Sequence, residues 1–388
     1  MRSIRSLLLG ALLLVGLHVA HAGLFGFGGK KKACDLSVGS WAPSTKYPVY
    51  DSSCPYISEQ FNCEKNGRPD GDFRHFEWKP SGCNLVRFDA KKFAMTFVGQ
   101  AVAIVGDNSG QYMYQSLRCR LDAANMKTED FDPSSIGWTG QGFKVKPWGV
   151  KVVFVHAPFL TEAEPMDPLQ RSMKDGWNVH VDKINHKLTE TLKGLRSVIL
   201  VAGSYYAESS NRTYYSKGRP IGAQPSGVAA LSIVLKNVAD FIKSNVMLVQ
   251  PFALSIPPAH TPSMFQYADT TCALFAGPLS STATSLAKAR SAVVAWTNAQ
   301  INALTKSRVK LLNILSMSLY RADAHVGTYQ PAGDRRRWIV PSGACPGFQM
   351  CGLICGTTRL AIRSTLNHEV VLKVASIGCD LLEMQQQW

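Results

Sequence analysis

The chain has 388 residues, 46% of them hydrophobic, and a formal net charge of +15. This length and composition predict a folded protein of one large domain or two smaller ones. The excess of cations favours an anionic partner, although a basic surface also serves solubility. The sequence has no recognisable nucleic-acid-binding motif, so nucleic acid is not the expected partner.

Residues 1–22 are predicted to be a signal peptide. Arg2 and Arg5 precede an apolar run from Leu7 to Val19, and Ala20-His21-Ala22 has the small-x-small pattern of a signal-peptidase site. We expect cleavage after Ala22. The alternative is an uncleaved membrane anchor, for which the apolar run is short. Either outcome places the chain in the Golgi lumen or outside the cell, with membrane attachment only if the segment stays uncleaved.

The ten cysteines are expected to form disulfides, because the secretory pathway is oxidising. The pair Cys351 and Cys355 has a metal-like spacing but lacks a second pair and a matching histidine, so no metal site is predicted. Asn211-Arg212-Thr213 is an N-glycosylation sequon in a polar stretch. It predicts a glycan on Asn211 in a surface loop.

The chain divides into regions by composition. A short linker (23–33) precedes a cysteine-rich cap (34–92) with many turn formers, an α/β domain (93–342) and a divergent cysteine-containing segment (343–388). Within the α/β domain, apolar runs of strand length alternate with stretches of helical periodicity. The predicted strands are Ala101–Gly106, Val150–His156, Ser197–Ala202, Val246–Leu254 and Lys310–Leu315, and the predicted helices are Lys183–Leu195, Val228–Lys243 and Ala283–Thr305.

This alternation predicts a doubly wound α/β fold with a mainly parallel sheet covered on both faces. Ligands of such folds bind at the loops that follow the carboxyl ends of the strands. Two such loops are Asp107–Gly110 and Ala157–Thr161. We expect the functional site at this edge of the sheet.

Short motifs follow one another in a fixed order from Cys34 to Cys119. They are Cys34-Asp35-Leu36, Gly39-Ser40-Trp41, Tyr47-Pro48-Val49-Tyr50, Cys54-Pro55, Phe61-Asn62-Cys63, Asn66-Gly67-Arg68-Pro69-Asp70, Trp78-Lys79-Pro80, Cys83-Asn84-Leu85-Val86-Arg87-Phe88-Asp89 and Gln115-Ser116-Leu117-Arg118-Cys119. The series resembles the trichome-birefringence-like family of plant PC-esterase-type proteins, whose studied members O-acetylate cell-wall polysaccharides. The resemblance implies an SGNH/GDSL-hydrolase-like three-layer α/β/α fold with an N-terminal disulfide-rich cap.

In that family a serine follows Gly-Asp and acts as the nucleophile. Here Gly106-Asp107 is followed by Asn108, and a carboxamide cannot form an acyl-enzyme. Ser109 is the alternative nucleophile. It would require a shifted turn, because one residue along a helix rotates a side chain by roughly 100°.

In the family, a later Asp-x-x-His motif supplies the base, which is the histidine, and the aspartate that orients it. Tyr320–Val326 matches the preceding Arg-x-Asp-x-His motif, and the next motif keeps Asp334 and Trp338 but has Arg337 at the base position. Arginine stays protonated and cannot accept a proton. The histidines that remain as relocated bases are His156, His260 and His325, although a histidine at such a place is more often a hydrogen-bonded structural residue.

Two further features concern ligand binding. The family's Gly-His-Trp-Trp block is aligned with Ala157-Pro158-Phe159-Leu160, where its glycine and polar groups are missing. The arginine run beside Trp338 could bind the carboxylates of an acidic glycan such as pectin, or it could form a solvated loop. The residues predicted to bind substrate are Asp107, His260, Arg335, Arg336 and Trp338.

The resemblance also implies disulfides. It pairs Cys34 with Cys83 and Cys54 with Cys119, and it bonds Cys63 and Cys272 to positions that are Arg335 and Ile339 here. We therefore predict that Cys63 and Cys272 pair with members of a C-terminal set, namely Cys345, Cys351, Cys355 and Cys379.

Two hypotheses of function follow, and neither requires a cofactor. The first is a secretory-pathway family member that has lost acetyl transfer and binds or helps to modify cell-wall glycan. The second is an active polysaccharide O-acetyltransferase or esterase that uses Ser109 with a relocated histidine.

Overall fold

The computed structural model describes residues 35–46, 49–59, 62–69, 71–85, 87–167, 169, 176–207, 211–246, 250–256, 277–280, 284–321 and 323. A central seven-stranded sheet organises this part of the chain. Its strands are β3 (Ala101–Gly106), β4 (Thr128–Phe131), β5 (Gln141–Val145), β6 (Val150–His156), β9 (Ser197–Val201), β12 (Gln250–Leu254) and β13 (Lys310–Leu312).

The order of strands in this sheet is β13-β12-β9-β3-β6-β5-β4. The five strands from β13 to β6 are parallel, and β5 and β4 add an antiparallel edge. Counted along the chain, the parallel strands have the order 2-1-3-4-5, which is one of the two common doubly wound arrangements. The chain reverses direction across the sheet between β3 and β9, and this is the expected place for a ligand.

The described residues form two smaller sheets in addition to the central one. The first is an antiparallel pair in the cap, β1 (Gly39–Pro43) and β2 (Phe76–Pro80). The second has the order β11-β10-β8-β7, and its strands are β7 (Thr161–Pro165), β8 (Trp177–Ile184), β10 (Arg212–Ser216) and β11 (Arg219–Pro220).

The helices that the structure describes are α1 (Ala90–Thr96), α2 (Asn108–Ala123), α3 (His186–Leu192), α4 (Ser204–Ala207), α5 (Gly227–Asn245), α6 (Thr284–Leu304) and α7 (Leu315–Leu319). Single 3₁₀ turns lie at Asp72–Arg74 and Pro133–Ile136. Within these ranges, no helix has both the length and the apolarity that a membrane span requires.

Helices cover both faces of the central sheet. Ala103 and Val105 of β3 join one apolar cluster with buried residues of α5, such as Val234. Helix α2 packs on the opposite face, where a Cβ added to Gly110 would lie only 3.2 Å from Ile104 Cγ2. This arrangement confirms the predicted α/β architecture with helices on both sides of a mainly parallel sheet.

Most predicted elements are present, and the differences have local causes. The helix predicted at Lys183–Leu195 begins only at His186, because Asn185 caps it by accepting a hydrogen bond from the backbone amide of Lys187 (3.0 Å). The strand predicted to reach Leu315 ends at Leu312. There, Asn313 accepts a hydrogen bond from the amide of Leu315 (3.1 Å) and starts a short helix.

Two further boundaries differ. The strand predicted at Val246–Leu254 is observed as Gln250–Leu254, because Val246 ends helix α5. The loop at Ala157–Thr161 leads into strand β7 instead of a helix. The second sheet, which contains β7, was not predicted.

The cap is fastened to helix α2. The predicted disulfide Cys54–Cys119 is present, the hydroxyls of Tyr50 and Ser116 lie 2.5 Å apart, and Gln115 Nε2 donates to Ser58 Oγ (2.7 Å). Cys83 is disulfide-bonded, and its expected partner Cys34 lies outside the described residues. Cys63 is buried, and its pairing with the C-terminal set stays a prediction because that set lies outside the described residues.

Gly106 allows β3 and β9 to approach closely where β3 ends. Its φ angle is +151°, and an added Cβ would lie 1.6 Å from the carbonyl oxygen of Val201. The amide of the next residue, Asp107, donates to the same oxygen (2.9 Å). Only glycine fits this position without movement of the backbone.

We predict that Gly106→Ala lowers the free energy of unfolding by about 3 kcal/mol or more, because an unfavourable φ and a backbone clash add together. Gly218→Ala is the matched control: Gly218 has a φ of +75° but no heavy atom within 4 Å of an added Cβ, so a loss of only about 1–2 kcal/mol is expected. Urea unfolding of both variants measures the difference. Equal losses would contradict the close-approach argument.

Candidate functional site

The residues that follow β3 lie at the point where the chain reverses across the sheet. Asp107 is the N-cap of α2, and Asn108 is the first residue of that helix. On the neighbouring strand β9, Val201 pairs with Gly106, and Ser204 begins α4 three residues later. The loops after β3 and β9 are therefore adjacent at the place where ligands bind in this fold.

The buried carboxylate of Asp107 connects these two loops. Oδ1 accepts a hydrogen bond from the backbone amide of Ser109 (3.0 Å), and Oδ2 accepts a short one from the hydroxyl of Ser204. Burial raises the pKa of Asp107, and its hydrogen bonds to Ser204 and Ser109 oppose that rise. Asp107 thus holds the start of α2 and the start of α4 together.

Asn108 and Ser109 differ in how accessible they are. Asn108 is half-buried, and within the described part of the chain its side chain makes no hydrogen bond. Ser109 is buried, with 8% of its surface exposed, and lies against Asp107. The side chain that a ligand can reach at the predicted nucleophile position is therefore an amide.

The turn after β9 was not among the predicted site residues. Gly203-Ser204-Tyr205-Tyr206 follows the strand, and Ser204 reaches Asp107. This segment has a glycine and two aromatic residues where the Gly-His-Trp-Trp pattern has them, with serine replacing histidine. A glycine and two aromatics directly after a predicted strand were the signal that could have found it.

The alignment of that pattern with Ala157–Leu160 is corrected by this geometry. Phe159 and Leu160 are almost fully buried, and Phe159 packs on Tyr205 and Tyr206 with ring centroids 5.4 Å apart in both pairs. Phe159 therefore packs against the aromatic residues of the turn after β9. Phe159 and Leu160 present no polar group to a ligand.

His156 is the one proposed relocated base that the structure describes. It ends β6, pairs with Gly106 in the parallel register, and lies with its ring centroid 6.3 Å from that of Tyr205. Its side chain is exposed at the surface, yet partial desolvation, together with the charge of Lys187, lowers its pKa. His156 is therefore neutral at physiological pH and can accept a proton.

The Arg-x-Asp-x-His match at Tyr320–Val326 has a structural role in the residues described. Arg321 Nε donates to Asp323 Oδ1 (2.8 Å), and both side chains are buried. The guanidinium of Arg321 also lies 4.5 Å from the ring centroid of Trp41 and donates to the carbonyl of Phe73. This ion pair joins the end of the α/β domain to the cap.

Several predicted site residues lie outside the described residues: His260, Cys272, His325, Asp334, Arg335, Arg336, Arg337 and Trp338. Asn211 is described and exposed, directly before β10, and its glycosylation stays a prediction. Within the described ranges there is no group of three or more His, Cys, Asp or Glu side chains that could hold a metal ion.

Comparison with known proteins agrees with this geometry. Residues 85–342 match the PC-esterase model, a GDSL/SGNH-like acyl-esterase family found in Pmr5 and Cas1p. The chain belongs to the PC-esterase family. Residues 32–84 match the PMR5 N-terminal domain, so the expected resemblance is confirmed in both parts.

Relatives in Arabidopsis thaliana are similar over most of their length. Protein trichome birefringence-like 4 is 25% identical over 340 residues, which cover 83% of this chain and 72% of the relative. Protein trichome birefringence-like 36 is 26% identical over 80% of this chain and 83% of its own length, and protein trichome birefringence-like 38 is 27% identical over 85% and 87%. These identities are low enough for site residues to differ.

The raised pKa of Asp107 predicts a pH-dependent loss of stability. The folded protein holds this proton more tightly than the unfolded chain, so stability falls as pH rises above about 4, the unfolded pKa, toward the folded pKa. Asp107→Asn keeps the acceptor oxygen and removes the titration. Its stability relative to the native protein should therefore improve with pH, by up to about 1.4 kcal/mol per pH unit in that window.

Urea unfolding of both proteins from pH 4 to pH 7 measures this difference. A difference that stays constant across the whole range would show that burial does not perturb Asp107.

Proposed function

We propose that this protein is a secretory-pathway polysaccharide-binding member of the PC-esterase family that does not transfer acyl groups through the family's serine position. One observation carries the proposal: the accessible side chain at the head of α2 is the amide of Asn108. Acyl transfer through a covalent intermediate requires an activated hydroxyl or thiol at this place. Asn108 has a hydrogen-bond donor and an acceptor instead, which suit the hydroxyls of a sugar.

The surrounding residues support binding better than covalent chemistry. Ser109 is buried against Asp107, and Ser204 uses its hydroxyl to bridge to the same carboxylate. Both serines thus hold the two loops in place. Family membership supports a cell-wall polysaccharide as the ligand, and the net charge of +15 leaves an acidic glycan such as pectin within the expected range.

The test is an acetyl-transfer assay combined with a binding assay on the recombinant chain. The protein is incubated with an activated acetyl donor and with xylan, xyloglucan or pectin oligosaccharides, and the sugars are analysed by mass spectrometry. We expect calorimetry to detect binding. We expect mass spectrometry to find no acetylated product above the protein-free control. Turnover that Ser109→Ala or Ser204→Ala abolishes would overturn the proposal.

A second candidate is favoured by His156. An active transferase or esterase would use Ser109 as nucleophile and a relocated histidine as base, and His156 lies at the correct edge of the sheet with a lowered pKa. If this candidate is correct, turnover should be lost in His156→Ala. Turnover should also persist at pH values below the usual histidine pKa, because the neutral base survives there. Activity unchanged in His156→Ala would exclude His156 as the base.

A further inference from the structure

A cavity of about 330 Å³ lies between the cap, helix α2 and the antiparallel edge of the central sheet. This volume is at the lower end of the range for small-molecule sites, and it suits a single sugar residue better than a long ligand. The cavity residues used below are Tyr56, Tyr114, Gln115, Arg118, Asp130 and Gln141.

Tyr114 gives this cavity a polar group that the fold does not use. Only 5% of its surface is exposed, and its ring packs against Phe143 and Phe154 with centroids 5.2 Å and 6.2 Å away. Its hydroxyl makes no hydrogen bond to any residue that the structure describes, so it is available to a ligand in the cavity that Tyr114 lines. Burial raises the pKa of Tyr114, so the hydroxyl stays protonated and can both donate and accept.

The charged groups beside Tyr114 balance each other. Arg118 Nη1 lies 2.6 Å from Asp130 Oδ1, and the guanidinium carbon is 3.9 Å from the ring centroid of Tyr56. Arg118 Nε also donates to Thr128 Oγ1 (3.1 Å), which fixes the guanidinium further. The pair has no net charge, so the cavity favours an uncharged ligand over a uronate.

Asp130 and Gln141 add further hydrogen-bonding groups to the cavity. The carboxylate of Asp130 is largely exposed and keeps one oxygen free of Arg118, and the exposed amide of Gln141 adds a donor and an acceptor. With the Tyr114 hydroxyl, these groups match the neighbouring hydroxyls of a neutral sugar.

A polar stripe on α2 connects this cavity to the candidate site. Asn108, Gln111 and Arg118 are the only residues from 108 to 118 that are not buried. Together with Gln115 they are spaced by three, four and three residues, so all four lie on one helix face. The stripe runs over eleven residues, so its first and last members are about 15 Å apart along the helix axis.

We propose that this cavity is a subsite for a neutral sugar residue of a polysaccharide chain that also contacts Asn108 and Gln111 on the same helix face. The proposal rests on the polysaccharide binding proposed above and adds where the chain binds and what class of sugar it contains. The disulfide Cys54–Cys119 fixes the cap segment that carries Tyr56 at one wall of the subsite.

The test is calorimetry with three probes: a xylan oligosaccharide, a xyloglucan oligosaccharide and an oligogalacturonide. Tyr114→Phe should weaken binding of a neutral probe about five-fold, the effect of one lost hydrogen bond. Thermal unfolding should hardly change, because the hydroxyl has no partner in the described fold. Gln141→Ala, at an exposed position, should weaken binding in the same direction. Tyr215→Phe, on the separate sheet, is the matched control and should bind as the native protein does.

The possible failures are distinguishable. If the native protein binds a probe and both Tyr114→Phe and Gln141→Ala bind it equally well, the subsite is overturned while polysaccharide binding stands. Preference for the oligogalacturonide would overturn the assignment to a neutral sugar. No binding of any probe by the native protein would overturn polysaccharide binding, and the subsite with it.

Discussion

The buried carboxylate of Asp107 is the constraint around which the rest of the site is arranged. It accepts hydrogen bonds from the amide of Ser109 and the hydroxyl of Ser204, which belong to the loops after two adjacent parallel strands. Gly106 makes the connection possible, because any larger residue would collide with the carbonyl of Val201. Asn108 follows directly after Gly106 and Asp107. Its position is therefore fixed by the close approach at Gly106 and by the hydrogen bonds of Asp107.

This constraint explains why the chemistry of the site depends on very few side chains. The scaffold of an acyl-esterase is retained: a parallel sheet, a tight turn into α2 and a neighbouring turn after β9. Ser204 donates its hydroxyl to Asp107, Ser109 is buried against the same carboxylate, and the accessible group is an amide. A fold can keep its architecture while its reactive group is replaced, because architecture depends on burial and backbone contacts and reactivity depends on single atoms.

The sequence predicted the architecture because its signals are local. Continuous apolar runs identified β3 and β6 to the residue. The Cys54–Cys119 disulfide joins residues 65 apart and was implied by the family resemblance, not by a local signal. Other features that depend on contacts distant in sequence were missed. The bond from Ser204 to Asp107 spans 97 residues, and the cavity beside Tyr114 combines a cap segment, a helix and two strands. Spacing alone cannot show that such residues meet.

The central claim is that no covalent ester forms at this turn, and peptide mapping by mass spectrometry tests it most directly. The native chain is incubated with an activated acetyl donor, and acyl groups are located before and after hydroxylamine, which removes esters and leaves lysine amides. We predict no hydroxylamine-sensitive acetyl group on the peptides that contain Ser109 or Ser204. An ester on either serine would contradict the claim.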